Sequence, residues 1–190
     1  MKRITVVGVG ALGSHVIMLL RNVGADLRVI DFDRVENKNV LSQFHGKTQV
    51  GKGKTQSLAQ TMNFLFGVKL ETIPHKLTSE NDVQLLGKSD LILDCLDNGT
   101  ARKVVQDYAR KTKTPCLHGA LAADGGFGRV IWDDRFQIDE ASGGAATCED
   151  GAHLPFISIT ASYLAKAAQD FLVHGKTIGY QIHPQGVFAV

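Results

Sequence analysis

The stretch Ile4-Thr5-Val6-Val7-Gly8-Val9-Gly10-Ala11-Leu12-Gly13 decides the fold. Its first four residues are apolar or β-branched, as in a strand buried in a parallel sheet. A GxGxxG pattern follows at once, and a helical stretch then runs to about Asn22 and is closed by Gly24. A strand feeding such a turn into a helix sets free backbone N–H groups and the positive helix end beside an anion. Gly8 permits the tight turn, Gly10 lets a phosphate approach the backbone, and Gly13 lets the helix lie close to the strand. The second strand, residues 27–30, ends at Asp31, eighteen residues past Gly13 and placed to accept hydrogen bonds from ribose hydroxyls. These residues specify a nucleotide-phosphate site and leave NAD, FAD and ATP open.

Working outward, the pattern predicts a helix over 51–66, with Leu58, Met62 and Leu65 on one face. Strands are expected at 69–73, 90–94, 115–120 and 128–132, and helices at 100–111 and 154–173, the last carrying the small residues Ala161, Ala165 and Ala168. The tail predicts strands at 177–183 and 186–190 around a Pro184-Gln185-Gly186 hairpin. Strands alternating with helices imply an α/β fold with a doubly wound, mainly parallel, Rossmann-like sheet and C-terminal antiparallel strands. Residues 133–151 show no periodicity and are rich in Gly and Ala, a loop of a length that is often functional.

The 190 residues suit one compact domain over 1–190. A formal net charge of +2 gives no argument for nucleic acid or a membrane surface. The longest apolar run, 16–20, is too short to span a bilayer, and the basic start leads into a strand rather than a signal-peptide core. A cytoplasmic protein is expected. Cys95, Cys116 and Cys148 are scattered, odd in number and form no CxxC, so neither a disulfide framework nor a structural zinc site is indicated.

Three further segments bear on the nucleotide. Asp31-Phe32-Asp33-Arg34-Val35-Glu36-Asn37-Lys38-Asn39-Val40-Leu41-Ser42-Gln43 leaves the second strand; Gly51-Lys52-Gly53-Lys54 follows, then Asp94-Cys95-Leu96-Asp97-Asn98 with Arg102 a helical turn on. Hydride transfer needs none of these, whereas a triphosphate needs a cation, a carboxylate for Mg²⁺ and polar side chains at the transferring group. In order and spacing the set resembles the ubiquitin-activating superfamily in its bacterial form, the ThiF, MoeB and HesA type, whose pattern is GxGxxG, DxDxVxxxNxxRQ, GxxK and DxxDN with a following Arg. Gly119, Gly125, Gly126 and Gly128, and His153-Leu154-Pro155 leading into the small-residue helix, extend the likeness.

The resemblance implies roles. Gly8, Gly10 and Gly13 would hold the phosphates, Asp31 the ribose, and Asn39 and Gln43 would lie beside the phosphates. Lys54 would contact the phosphates and Asp97 would bind Mg²⁺, with Asp94 and Asn98 supporting the loop. The implied reaction is ATP- and Mg²⁺-dependent adenylation of the C-terminal glycine carboxylate of a ubiquitin-like or sulfur-carrier protein, by a homo- or heterodimer. A thioester or sulfur-transfer step would use a cysteine, for which Cys148 is the candidate. Its neighbours Glu149 and Asp150 would raise its pKa rather than lower it.

Plainer readings stand beside these. Lys54 can be a surface lysine at a helix start, Asp97 with Asn98 an N-cap, Arg102 a solvated helix residue, and His118 a buried, satisfied histidine. Three departures from the pattern are visible. The Arg of NxxRQ is Ser42, which offers a hydrogen bond but no charge. The arginine-bearing helix that relatives carry ahead of the first strand has no counterpart in this sequence, and the zinc CxxC pairs are absent. The alternatives are therefore a nucleotide-binding pseudoenzyme half of a heterodimeric activating enzyme and an NAD-dependent oxidoreductase.

Overall fold

A computed structural model describes residues 1–122, 124–138 and 151–190. Arg3–Val7 forms β1, and Ala11–Leu19 forms α1. Asp26–Ile30 is β2, Lys54–Phe66 α2 and Leu70–Ile73 β3. Asp82–Leu86 is α3, Leu91–Asp94 β4 and Gly99–Thr112 α4. Cys116–Leu121 is β5, Gly128–Trp132 β6, Leu154–His174 α5, Tyr180–His183 β7 and Gly186–Ala189 β8. All eight strands form one sheet in the order β3-β2-β1-β4-β5-β6-β7-β8. The pairs from β3 to β5 are parallel and those from β5 to β8 antiparallel, the α/β arrangement the sequence predicts.

The sheet is covered on both faces because its strands are apolar on both. Alternation sends Ile4, Val6, Val29, Leu91, Leu93 and Leu117 toward α1, α2 and α5. Val7, Ile30, Ile92 and Cys116 face the other way, onto Leu85 and Leu86 of α3 and Val105, Tyr108 and Ala109 of α4. The small residues of α5 belong to this packing: Ala161, Ala165, Ala167 and Ala168 are buried among α1 and the sheet. That face of the helix is core.

Three expectations need correction. The helix expected over 51–66 begins only at Lys54, because Gly53 pairs with Arg34 in an antiparallel bridge and Gly51 donates to the Val35 carbonyl. Leu65 of that helix is 52% exposed, and the apolar contact is made by Leu58 and Met62. The short helix α3 has no counterpart in the sequence-based pattern. Residues 133–138 are not plain loop either: Asp133–Arg135 makes a 3-10 turn and Phe136 is buried. Residues 139–150 lie outside the described residues, and with them the Cys148 assignment.

Candidate nucleotide site

The order of the sheet reverses at β1: the chain steps from β1 through β2 to β3 on one side and returns to β4 and β5 on the other. Ligands of doubly wound sheets sit at the carboxyl ends of the strands at such a switch point. The three motif segments leave β1, β2 and β4 at that end.

The glycine turn is built as the motif requires. Gly8 has φ +86°, and a Cβ there would stand 2.9 Å from the Cys95 carbonyl oxygen on the neighbouring strand end. A Cβ on Gly13 would overlap the Gly8 carbonyl oxygen, so helix and turn meet without room for a side chain. Gly10 differs: a Cβ there would meet only Gln43 Nε2, at 3.8 Å. Its missing side chain is not filled by protein, which leaves the N-terminal amides of α1 approachable. The helix has Gly10 as N-cap, no side-chain cap and no acidic residue in its first turn. Its first N–H groups therefore keep their capacity for an external anion.

The segment after β2 wraps this turn. Asp31 accepts from the backbone amides of Val9 at 2.9 Å and Asp33 at 2.9 Å. Burial raises its pKa, against the pull of the Lys54 charge and these two amides. Asn39 is buried and its Oδ1 accepts the Glu36 amide at 2.8 Å, closing the 3-10 turn Asn37–Leu41. Gln43 stands beside Gly10 with Oε1 buried and unpartnered. Ser42, where the resembled pattern has Arg, is buried with an unpartnered hydroxyl. His45 reaches the Val9 carbonyl at 3.0 Å; burial, with the Lys54 and His15 charges, lowers its pKa to about 4 despite that hydrogen bond. Sequence reasoning did not single out His15 or His45, and nothing in their local pattern marks them.

Lys54 is not the surface lysine of the plain reading. It is 8% exposed, its amide donates to the Asp33 carbonyl, and its ammonium pairs with Asp33 Oδ2 at 3.0 Å. Asp33, the second acid of DxD, is thus the residue that aims Lys54.

The β4 end separates two carboxylates. Asp94 is fully buried and accepts from the Leu96 amide at 3.0 Å, Arg102 Nη1 at 3.0 Å and His118 Nδ1 at 2.7 Å. Asp97 is exposed, and among the described residues it has no hydrogen-bond or ion-pair partner. The N-cap of α4 is Asn98, whose Oδ1 accepts the Ala101 amide at 2.8 Å, so capping does not engage Asp97. Arg102 is not a solvated helix residue: besides Asp94 it holds the carbonyls of Leu96 and, at 2.7 Å, Gly119. His118 is buried and satisfied, as the plain reading has it. Burial pushes the thiols of Cys95 and Cys116 well up, which suits inert packing.

No group of three or more His, Cys, Asp or Glu among the described residues could cage a metal. A magnesium ion carried by a nucleotide needs only one or two protein carboxylates, because phosphates and waters supply the rest. The unengaged Asp97 fits that requirement and Asp94 does not.

Comparison with known proteins places the chain in a family. Residues 1–180 match the sequence model of the ThiF family. The chain is 34% identical over 137 residues to the "Probable adenylyltransferase/sulfurtransferase MoeZ" of Mycobacterium tuberculosis, covering 70% of this chain and 34% of that protein. It is 37% identical over 123 residues to the "Sulfur carrier protein adenylyltransferase" of Thermus thermophilus, covering 62% and 45%. The chain thus spans less than half the length of these curated relatives. A crystal structure of E. coli MccB with ATP superposes at a TM-score of 0.78, with 15% identity, over 100% of this chain and 63% of that one. No helix among the described residues is long and apolar enough to cross a membrane.

Proposed function

Since this chain belongs to the ThiF family, we propose that it binds ATP with Mg²⁺ and adenylates the C-terminal carboxylate of a ubiquitin-like or sulfur-carrier protein ending in glycine. The observation that carries the reading is the open face of Gly10. It lies beside Gln43, at a turn whose flanking segments bring a buried lysine and an unengaged aspartate. An oxidoreductase would leave Lys54 and Asp97 without a task.

In this reading the α1 amides and Gly8, Gly10 and Gly13 receive the phosphates, and Asp31 takes the ribose with its remaining lone pairs. Asn39 and Gln43 flank the phosphates. Lys54 turns from Asp33 to the triphosphate, exchanging one anion for another without leaving its buried stem. Asp97 would hold the metal, whose positive charge would offset that of the phosphates. The carboxylate of the protein substrate attacks the α-phosphorus; the bond to the bridging oxygen breaks, and pyrophosphate leaves with that electron pair. Residues 1–190 act as one adenylation domain, in the cytoplasm where ATP is supplied and the free Cys95 and Cys116 stay reduced, and as a dimer. Cys148 is the candidate for a later thioester or sulfur-transfer step. Replacing it by Ala should spare exchange and block that step; loss of exchange as well would remove Cys148 from this role.

One observation favours a second reading. Ser42, at the arginine position of the resembled pattern, is buried and brings no charge. A chain lacking that cation could serve as the nucleotide-binding half of a heterodimer whose partner supplies arginines. Isotope exchange between pyrophosphate and ATP separates the two. The enzyme catalyses it alone with its protein substrate, and the pseudoenzyme binds ATP without exchange until its partner is added.

A further inference from the structure

His118 is gripped by two carboxylates from different elements. Its Nδ1 lies 2.7 Å from Asp94 Oδ2 at the end of β4, and its Nε2 lies 3.2 Å from Asp133 Oδ1 just after β6. An ionised carboxylate can only accept, so both contacts are hydrogen bonds only when both ring nitrogens carry a proton. A neutral ring would turn a lone pair toward one carboxylate in a site without water access, since His118 is fully buried.

The surroundings of the ring fit a fixed cation. Phe136 stacks on it, with ring centroids 3.8 Å apart and planes 9° from parallel. The other groups that face it are Cys116 Sγ at 3.6 Å from Nε2, and Arg102 and Arg110 of α4, which reach it through its two carboxylates. Arg110 Nε donates to Asp133 Oδ2 at 2.9 Å, and its Nη2 holds the carbonyls of Asp133 and Phe136, each at 3.1 Å. One line of alternating charge therefore runs Arg110, Asp133, His118, Asp94, Arg102. It ends on Leu96, whose amide is held by Asp94 and whose carbonyl is held by Arg102. Leu96 is the residue before Asp97.

We propose that His118 is a positioning residue, an imidazolium that braces the Asp97-bearing loop against the end of β6 through Asp94 and Asp133. The inference rests on the adenylation reading for what Asp97 does, but not for the state of the ring. Burial alone would lower the pKa of His118; the hydrogen bonds to Asp133 and Asp94 outweigh it, and the ring titrates above the usual imidazole range.

Two arms of the test do not depend on catalysis. In the wild-type chain labelled with ¹⁵N-histidine, both ring nitrogens of His118 are expected to be protonated at pH 7. A bare ring nitrogen at that pH overturns the proposal. In His118→Gln and Asp133→Asn, the Leu96 amide is expected to exchange hydrogen about tenfold faster or more, the scale of losing a charged hydrogen bond. Unchanged protection at Leu96 overturns the bracing role. The third arm is catalytic: kcat for exchange should fall about 10- to 100-fold in both variants while the Kd for ATP stays within about twofold. Full kcat per folded molecule would reduce His118 to a stability element. If wild type itself shows no exchange while the first two arms hold, the adenylation reading fails and the brace stands.

Discussion

In the proposed reaction Asp97 and Lys54 carry the chemistry under opposite constraints. Asp97 is exposed and unengaged among the described residues, while Lys54 is buried and already paired with Asp33. Asp97→Ala should therefore leave the thermal midpoint within about 2 °C of wild type, as expected where a substitution touches no packing. It should cut exchange by about 100-fold or more, the scale for removing a preorganised electrostatic contact. Retained exchange would mean that Asp97 holds no metal. Lys54→Met keeps most of the buried stem and removes the charge, so ATP affinity should fall while the helix survives; isothermal titration reads this directly. Both residues stand in short, local motifs, which is why the sequence alone puts them forward as candidates. Arg102 is also named by its motif, but what it holds is not legible there, since Leu96 and Gly119 meet only when β4 and β5 lie side by side. The same holds for His118, whose second carboxylate comes from beyond β6.

At the scale of elements, the glycine turn and α5 decide how firmly the site is held. Gly13→Ala would drive a methyl into the Gly8 carbonyl oxygen and force α1 away from the turn. It should destabilise the chain by more than the about 1 kcal/mol helix-propensity gain of Ala over Gly, and ATP binding should weaken with it. Gly10→Ala is the control: its Cβ would make only an ordinary contact with Gln43 Nε2, at 3.8 Å, so the chain should still fold and yet bind ATP more weakly, because the methyl would enter the proposed phosphate position. Equal ATP affinity in Gly10→Ala would place the phosphates elsewhere. Leu164, fully buried where α5 meets the sheet and α1, should cost about 2–5 kcal/mol when cut to Ala, measured by denaturant unfolding. Strand–helix alternation was readable because both periods are strong. The start of α2 was not, because an antiparallel bridge captures Gly53, and α3 was not, because a five-residue helix offers no full period.

For the whole molecule, the buried histidines set opposite limits on stability against pH. His45 has a folded pKa near 4 and an unfolded pKa near 6.5, so the unfolded chain binds the extra proton first as pH falls. Stability should drop between these values, by about 3 kcal/mol if His45 acts alone, at about 1.4 kcal/mol per unit. His118 works the other way. Its folded pKa is raised, so its contribution is complete below pH 6.5 and is lost as pH climbs through the folded value. Unfolding midpoints against pH should peak near neutrality, and His118→Gln should remove the alkaline decline while sparing the acid one. This coupling was invisible in sequence, where His45 and His118 are single residues in unremarkable surroundings; burial and distant carboxylates make them titrate as they do.

The most direct test of the account is exchange of labelled pyrophosphate into ATP by the purified chain. The prediction is exchange that requires Mg²⁺ and a ubiquitin-like protein with a free C-terminal glycine, and that disappears in Asp97→Ala. Absence of any ATP binding at millimolar concentration, or exchange that proceeds equally well without the carboxylate substrate, would contradict it.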